Sequence, residues 1–163
     1  MTDATGICEI YNQAIAEGKS TFETERRTES DRRIWMQEHD VSHPILVAVM
    51  EGRTGEKVVA WASIQPYRPR ACYSGVGEIS LYVHEGYRGR GVGTHLMMAL
   101  IEEAKSLGYW KLLSRTFSFN VASRALCKSC GFREVGVYLK HGKLNERWID
   151  AVIVELLIPE NLT

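Results

Sequence analysis

Residues 79–97 read I-S-L-Y-V-H-E-G-Y-R-G-R-G-V-G-T-H-L-M. A short β-type run, Ile79–Val83, enters a loop holding Gly86, Gly89, Gly91 and Gly93. A helical pattern leaves it, with apolar residues at Val92, Leu96, Leu100, Ala104 and Leu107. Strand, glycine loop and helix N-terminus together form a pyrophosphate cradle. The unpaired N–H groups of the first helical turn point outward, and the helix dipole favours negative charge there. Glycines let the backbone approach phosphate oxygens closely, and Arg88 and Arg90 add positive charge at the rim. Two common phosphate motifs fail. No Lys-Ser or Lys-Thr follows the glycines, which excludes a P-loop. The dinucleotide fingerprint fails at its third glycine, where Thr94 stands, and its downstream acidic residue is missing from Tyr109–Ser114. What remains is R-x-x-G-x-G, Arg88 to Gly93.

A second motif lies downstream, Asn120-Val-Ala-Ser123-Arg-Ala-Leu126-Cys127-Lys-Ser-Cys130-Gly131-Phe132. Asn120 is a good N-cap, Ala122, Ala125 and Leu126 give an apolar stripe, and Gly131 is a natural stop. The two motifs resemble the acetyl-coenzyme A loop and the N-x-x-S-x-x-L helix of the GNAT superfamily of N-acetyltransferases. The resemblance runs from about Ala4 to Ile158. It implies acetyl-CoA as co-substrate, with the pyrophosphate on the backbone of Gly89, Arg90, Gly91, Val92, Gly93 and Thr94. It also implies that Leu81, Tyr82 and Val83 pair with the pantetheine arm as an open strand edge, and that Asn120 and Ser123 flank that arm.

At 163 residues the chain is expected to form a single domain, 1–163. Twenty basic and twenty acidic residues balance, which argues against a nucleic-acid partner. No apolar run approaches the ~20 residues of a membrane helix, and the start M-T-D-A-T-G lacks a signal-peptide core. Four cysteines show no secreted disulfide framework, so a cytoplasmic location is expected.

Periodicity places a helix from Asp3, as N-cap, to a stop at Gly18. A second runs from a Thr28–Asp31 capping box to about His39, with Ile34 and Trp35 inward. Strands follow at 45–50, 58–64 and 76–83, a helix at 91–107, a strand at 109–115, a helix at 120–130, and strands at 132–139 and 148–158. The expected fold class is α/β, the GNAT fold: a mixed, mostly antiparallel central sheet with helices on both faces. That fold normally opens with a further strand before the first helix, and here this strand is expected to be absent or truncated.

Further residues resemble the phosphinothricin acetyltransferase-like branch of the superfamily: Ile10-Tyr11-Asn12, Thr21-Phe22-Glu23-Thr24, Arg68-Pro-Arg70-Ala-Cys-Tyr73, Glu78-Ile-Ser-Leu-Tyr-Val83 and Trp148-Ile-Asp150. The branch implies Glu78 as general base, directly or through water, beside the plainer reading of a strand-end carboxylate. It implies that Phe22, Arg68, Arg70, Tyr73 and Glu78 meet a small amino-acid-like amine. Two arginines in one loop can receive a carboxylate or phosphinate, or can be solvated loop charges. Cys127 stands where relatives carry Tyr or His as proton donor; it can donate or merely pack, and packing is the expectation. Cys127-Lys-Ser-Cys130 ends a helix, where the dipole opposes a thiolate, so neither a redox site nor a metal is expected. The branch also implies a homodimer. Alternatives are a GNAT enzyme for another amine (a protein N-terminus, polyamine or aminoglycoside) and a non-catalytic acyl-CoA-binding protein.

Overall fold

A computed structural model describes residues 3–163. The elements run α1 (Asp3–Glu17), α2 (Glu29–Gln37), β1 (Ile45–Gly52), β2 (Gly55–Pro66), β3 (Val76–Val83), α3 (Val92–Ser106), β4 (Lys111–Phe117), α4 (Val121–Ser129), β5 (Arg133–Leu144) and β6 (Arg147–Leu157). One sheet orders them β1-β2-β3-β4-β6-β5. Every neighbouring pair is antiparallel except β3 and β4, which are parallel. This is the mixed, mostly antiparallel sheet expected from the sequence. Among the described residues no strand precedes α1, and β1 forms one edge of the sheet.

Strand alternation divides the layers. On one face Ala60, Ala62 and Ile64 of β2 and Ile79 of β3 pack under Leu96, Met97, Leu100 and Ala104 of α3. Full burial of a side chain such as Leu100 contributes roughly 1.5–3 kcal/mol. On the other face Trp61 and Tyr82 meet Ile7, Ile10 and Tyr11 of α1 and Trp35 of α2. Gly77 is a tight crossing: a Cβ there would lie 2.6 Å from Ile64.

The helix ends follow the sequence closely. Gly18 stops α1 at φ 62°, its N–H donating to the Ala14 carbonyl. Thr28 and Asp31 form the reciprocal capping box at α2, worth about 1 kcal/mol. Asn120 caps α4, its side-chain oxygen accepting from the Ser123 N–H.

Three local expectations need correction. Asp3 lies inside α1 as its first described residue, where its carboxylate suits the positive end of the dipole; the cap position falls outside the described residues. In α2 it is Arg32, not Ile34, that turns inward: Ile34 is 54% exposed and Arg32 8%. The Arg32 guanidinium lies over the Tyr11 and Trp35 rings, which accept a cation where an aliphatic chain was expected. His84, at the glycine loop's entry, has a side chain 12% exposed that accepts from the Gly86 N–H. Finally, β5 runs on to Leu144, and Asn145 and Glu146, at φ 47° and 64°, turn it directly into β6. Two left-handed residues form the tight hairpin, and the chain between Tyr138 and Gly142 bulges instead of leaving the sheet.

Candidate active site

The site begins where two parallel strands part. β3 and β4 are in register only from Val76 to Glu78, opposite Lys111 to Leu113. Beyond Glu78 the strands separate, and Ser114 bridges the fork by donating from Oγ to the Ile79 carbonyl at 2.9 Å. α4 closes the far side. A slot of about 340 Å³ results, lined by Leu81, Tyr82, Val83, Arg88, Gly93, Asn120, Ser123 and Leu126. A deeper pocket of about 70 Å³ continues it past Ser80 and Ser114 to Cys127. Seven of the residues singled out in the sequence for one ligand thus share one cleft, although 42 positions separate Leu81 from Ser123.

The glycine loop caps the outer end. Gly89 and Gly91 have φ of 72° and 80°, a conformation that costs a residue with a Cβ about 1–2 kcal/mol. Gly91 is the N-cap of α3, so the first-turn N–H groups of Val92, Gly93 and Thr94 have no intrahelical partner. Gly93 faces the slot, and its missing side chain leaves it near Val83 and Leu126. Arg90 is exposed beside the Tyr87 ring. Arg88 is committed elsewhere: Nε donates to the Val83 carbonyl at 3.1 Å, and its terminal nitrogen pairs with Glu17 of α1. It braces the loop against the strand, which sequence reading did not show.

Two cavities open on the α1/α2 face of the sheet. One, about 490 Å³, is lined by Thr21, Phe22, Glu78, Ser80, Arg115, Phe117 and His141, among others. Glu78 pairs with Arg115, and its side chain is 26% exposed. The second, about 460 Å³, lies over Trp61, Ser63 and Gln65 of β2 and under Arg32 and Trp35 of α2. Ser80 lines both cavities and the deep slot. Tyr82 is half-buried against Tyr11 and Trp61, and desolvation pushes its phenol well above the ordinary value.

Arg68, Arg70 and Tyr73 are not among the residues lining either cavity. Arg68 and Arg70 are exposed on the β2–β3 loop, and Arg68 lies over Tyr67. Cys127 is 5% exposed within the main core, and burial pushes its thiol up to about 11, so it stays protonated near neutrality. All four cysteines are free, and among the described residues no group of His, Cys, Asp or Glu side chains could hold a metal. Sequence reading assigned no role to Arg32, Ser63 or Arg115. The alternation Trp61-Ala-Ser63-Ile-Gln65 carried a signal, since it sets three polar-tipped side chains on one sheet face.

The slot suits a long acyl carrier: an open strand edge for its amide arm and a helix N-terminus for its phosphates. The profile of the Acetyltransferase (GNAT) family matches residues 8–132. An L-methionine sulfoximine/L-methionine sulfone acetyltransferase of Pseudomonas aeruginosa is 32% identical over 157 residues, 96% of this chain and 90% of that one. The crystal structure of a ribosomal-protein-alanine N-acetyltransferase from Brucella melitensis superposes with a TM-score of 0.90 at 31% identity, covering 96% of this chain and 94% of that one. A phosphinothricin acetyltransferase from Sinorhizobium meliloti in complex with acetyl-CoA superposes at 0.87 and 25% identity, covering 96% and 83%. The chain therefore belongs to the acetyltransferase (GNAT) family and is an N-acetyltransferase with acetyl-CoA as its co-substrate.

Proposed function

We propose that the chain acetylates the primary amine of a small amino-acid-like acceptor of the phosphinothricin or methionine sulfone type, with Glu78 as general base. The observation that carries this reading is the shared wall: Ile79, Ser80, Ser114 and Arg115 border both the deep slot and the Glu78 cavity. An amine in the cavity can therefore reach the inner end of the slot. Acetyl-CoA supplies the acetyl group already activated as a thioester. The N–H groups from Gly91 to Thr94 would hold its pyrophosphate, with Gly89 giving the loop its turn and Arg90 adding charge. Leu81, Tyr82 and Val83 would offer main-chain partners to the arm, and Ser123 and Asn120 would flank it. Asn120 already spends its side chain on the α4 cap and the Lys19 carbonyl, so it would serve mainly as a wall.

Acetyl transfer needs a neutral attacking nitrogen. Glu78, fixed by Arg115 at the cavity floor, would take the ammonium proton directly or through water. Phe22 would line the apolar part of the acceptor. Arg68, Arg70 and Tyr73 lie on the loop that feeds β3 from the Glu78 end, where the arginines would draw an anionic acceptor in by charge. Cys127 serves as packing in this reading. A peptide N-terminus is the second reading, favoured by the name of the Brucella relative; an amine panel with thiol-release detection separates the two.

The same reading includes a homodimer in the cytoplasm. Four free cysteines, three of them buried, suit a reducing compartment. The β5 edge and its hairpin expose Val135, Val137, Tyr138, Leu139 and Trp148, each 49% exposed or more, a patch that a second copy would cover.

Light scattering is expected to give twice the chain mass, falling to a monomer when Val137 and Leu139 are both changed to Lys; a wild-type monomer at tens of micromolar contradicts the dimer. Gly91→Val forces a β-branched residue into left-handed backbone. It should lower acetyl-CoA affinity at least about tenfold by calorimetry, and an unaltered affinity would take this loop out of the site. Glu78→Gln should lower kcat about 10²–10⁴-fold at pH 7, with KM for acetyl-CoA little changed. The defect should shrink as pH rises toward the amine's own pKa, because bulk water then deprotonates it. Near wild-type kcat at pH 7 on the best acceptor would remove Glu78 as base.

A further inference from the structure

Among the described residues, Arg32 Nε, Trp61 Nε1 and Ser63 Oγ are buried polar atoms with no hydrogen-bond partner. Their side chains belong to residues only 8%, 2% and 1% exposed. Buried polar groups in folded proteins are nearly always paired, and here these three, together with the unpaired Nε of Arg27, whose terminal nitrogen pairs with Glu23, belong to residues lining one cavity. Strand geometry explains the gathering. Trp61 and Ser63 alternate on β2 directly opposite Tyr82 and Ser80 of β3, so all four project from one sheet face. α2 lowers Arg32 onto that face, with its guanidinium carbon 4.5 Å from the Tyr11 ring centre and 5.1 Å from that of Trp35.

Three carboxylates border the cavity, and two of them are held elsewhere. Glu23 pairs with Arg27, and Asp31 is tied into the capping box. Glu38 is exposed at the rim. An indole N–H and a guanidinium only donate, and a hydroxyl can donate. A cluster of this kind calls for a ligand rich in acceptor oxygens.

We infer that Arg32, Trp61 and Ser63 form a specificity subsite for the paired oxygens of the acceptor's distal group, a phosphinate, sulfone or sulfoximine. The inference rests on the acceptor reading above. Distance along the sheet selects the distal group over the α-carboxylate. Gln65 stands opposite Glu78 and Ser63 opposite Ser80, so Ser63 lies two residues along the strand from the proposed base, about 7 Å at ~3.3 Å per residue. An amine beside Glu78 sets its own α-carboxylate too close to reach that far. Oxygens on a phosphorus or sulfur three carbons from the nitrogen do reach it. The subsite thus separates sulfonyl or phosphinyl amino acids from apolar ones of the same length.

Calorimetric binding and steady-state kinetics of L-methionine sulfone and L-norleucine test this on the wild type, Trp61→Phe and Arg32→Met. Trp61→Phe keeps a ring in place and removes one donor. The wild type should bind the sulfone at least about tenfold tighter than norleucine. Each variant should cut the ratio of sulfone to norleucine affinity about five- to tenfold. Variants that weaken both ligands equally, or neither, overturn the subsite and assign these residues to packing, as does a wild type that fails to prefer the sulfone. A wild type that binds the sulfone through Arg32 yet acetylates only other amines would uphold the subsite and overturn the acceptor reading. One that acetylates amines without preferring the sulfone would do the reverse.

Discussion

The parting of β3 from β4 after Glu78 is the constraint on which the rest depends. A parallel pair that stayed in register would satisfy its own main chain and leave no room between strands. Here pairing stops after three residues, and β4 offers no ladder to Leu81–Val83. Ser114 holds the fork at its closed end, Arg88 braces the Val83 carbonyl at its open end, and α4 fills the gap from the other side. An unpaired strand edge beside a helix N-terminus provides amide partners and phosphate partners in one line, which is what a long acyl carrier requires.

Two faces of one strand then divide the work. Ile79, Leu81 and Val83 pack toward α3 and fix β3 in the core. Glu78, Ser80 and Tyr82 face the opposite layer, where α1 and α2 leave two cavities. Because the alternation is strict, the residue proposed as base is tied to the same backbone whose edge forms the slot. A one-residue slip would move all three side chains into the core. Tight contacts such as Gly77 against Ile64 oppose that slip.

What could be read from the sequence was local. The glycine loop, the Asn120 cap, the Thr28 capping box and the Gly18 stop each follow from a few neighbouring residues, and the structure places each of these elements as read. What could not be read depends on contacts far along the chain. Arg32 looks like a solvated helix charge until Tyr11 and Trp35 are seen to sandwich it. Arg88 looks like a phosphate ligand until Glu17, 71 residues earlier, takes its terminal nitrogen. Arg115 gives no hint in its own neighbourhood of pairing with Glu78. The two strands at 132–139 and 148–158 are legible, but the tight turn between them is not, because Asn145-Glu146 is a weak turn sequence and only the pairing of Leu144 with Arg147 fixes it.

Amide-resolved hydrogen exchange with and without acetyl-CoA tests the central claim most directly. The account predicts added protection in Leu81–Val83 and in Gly91–Thr94, with β1 and the β5–β6 hairpin unchanged apart from any change in dimerisation. Protection confined to other segments, with β3 and the glycine loop unaffected at saturating acetyl-CoA, would contradict it.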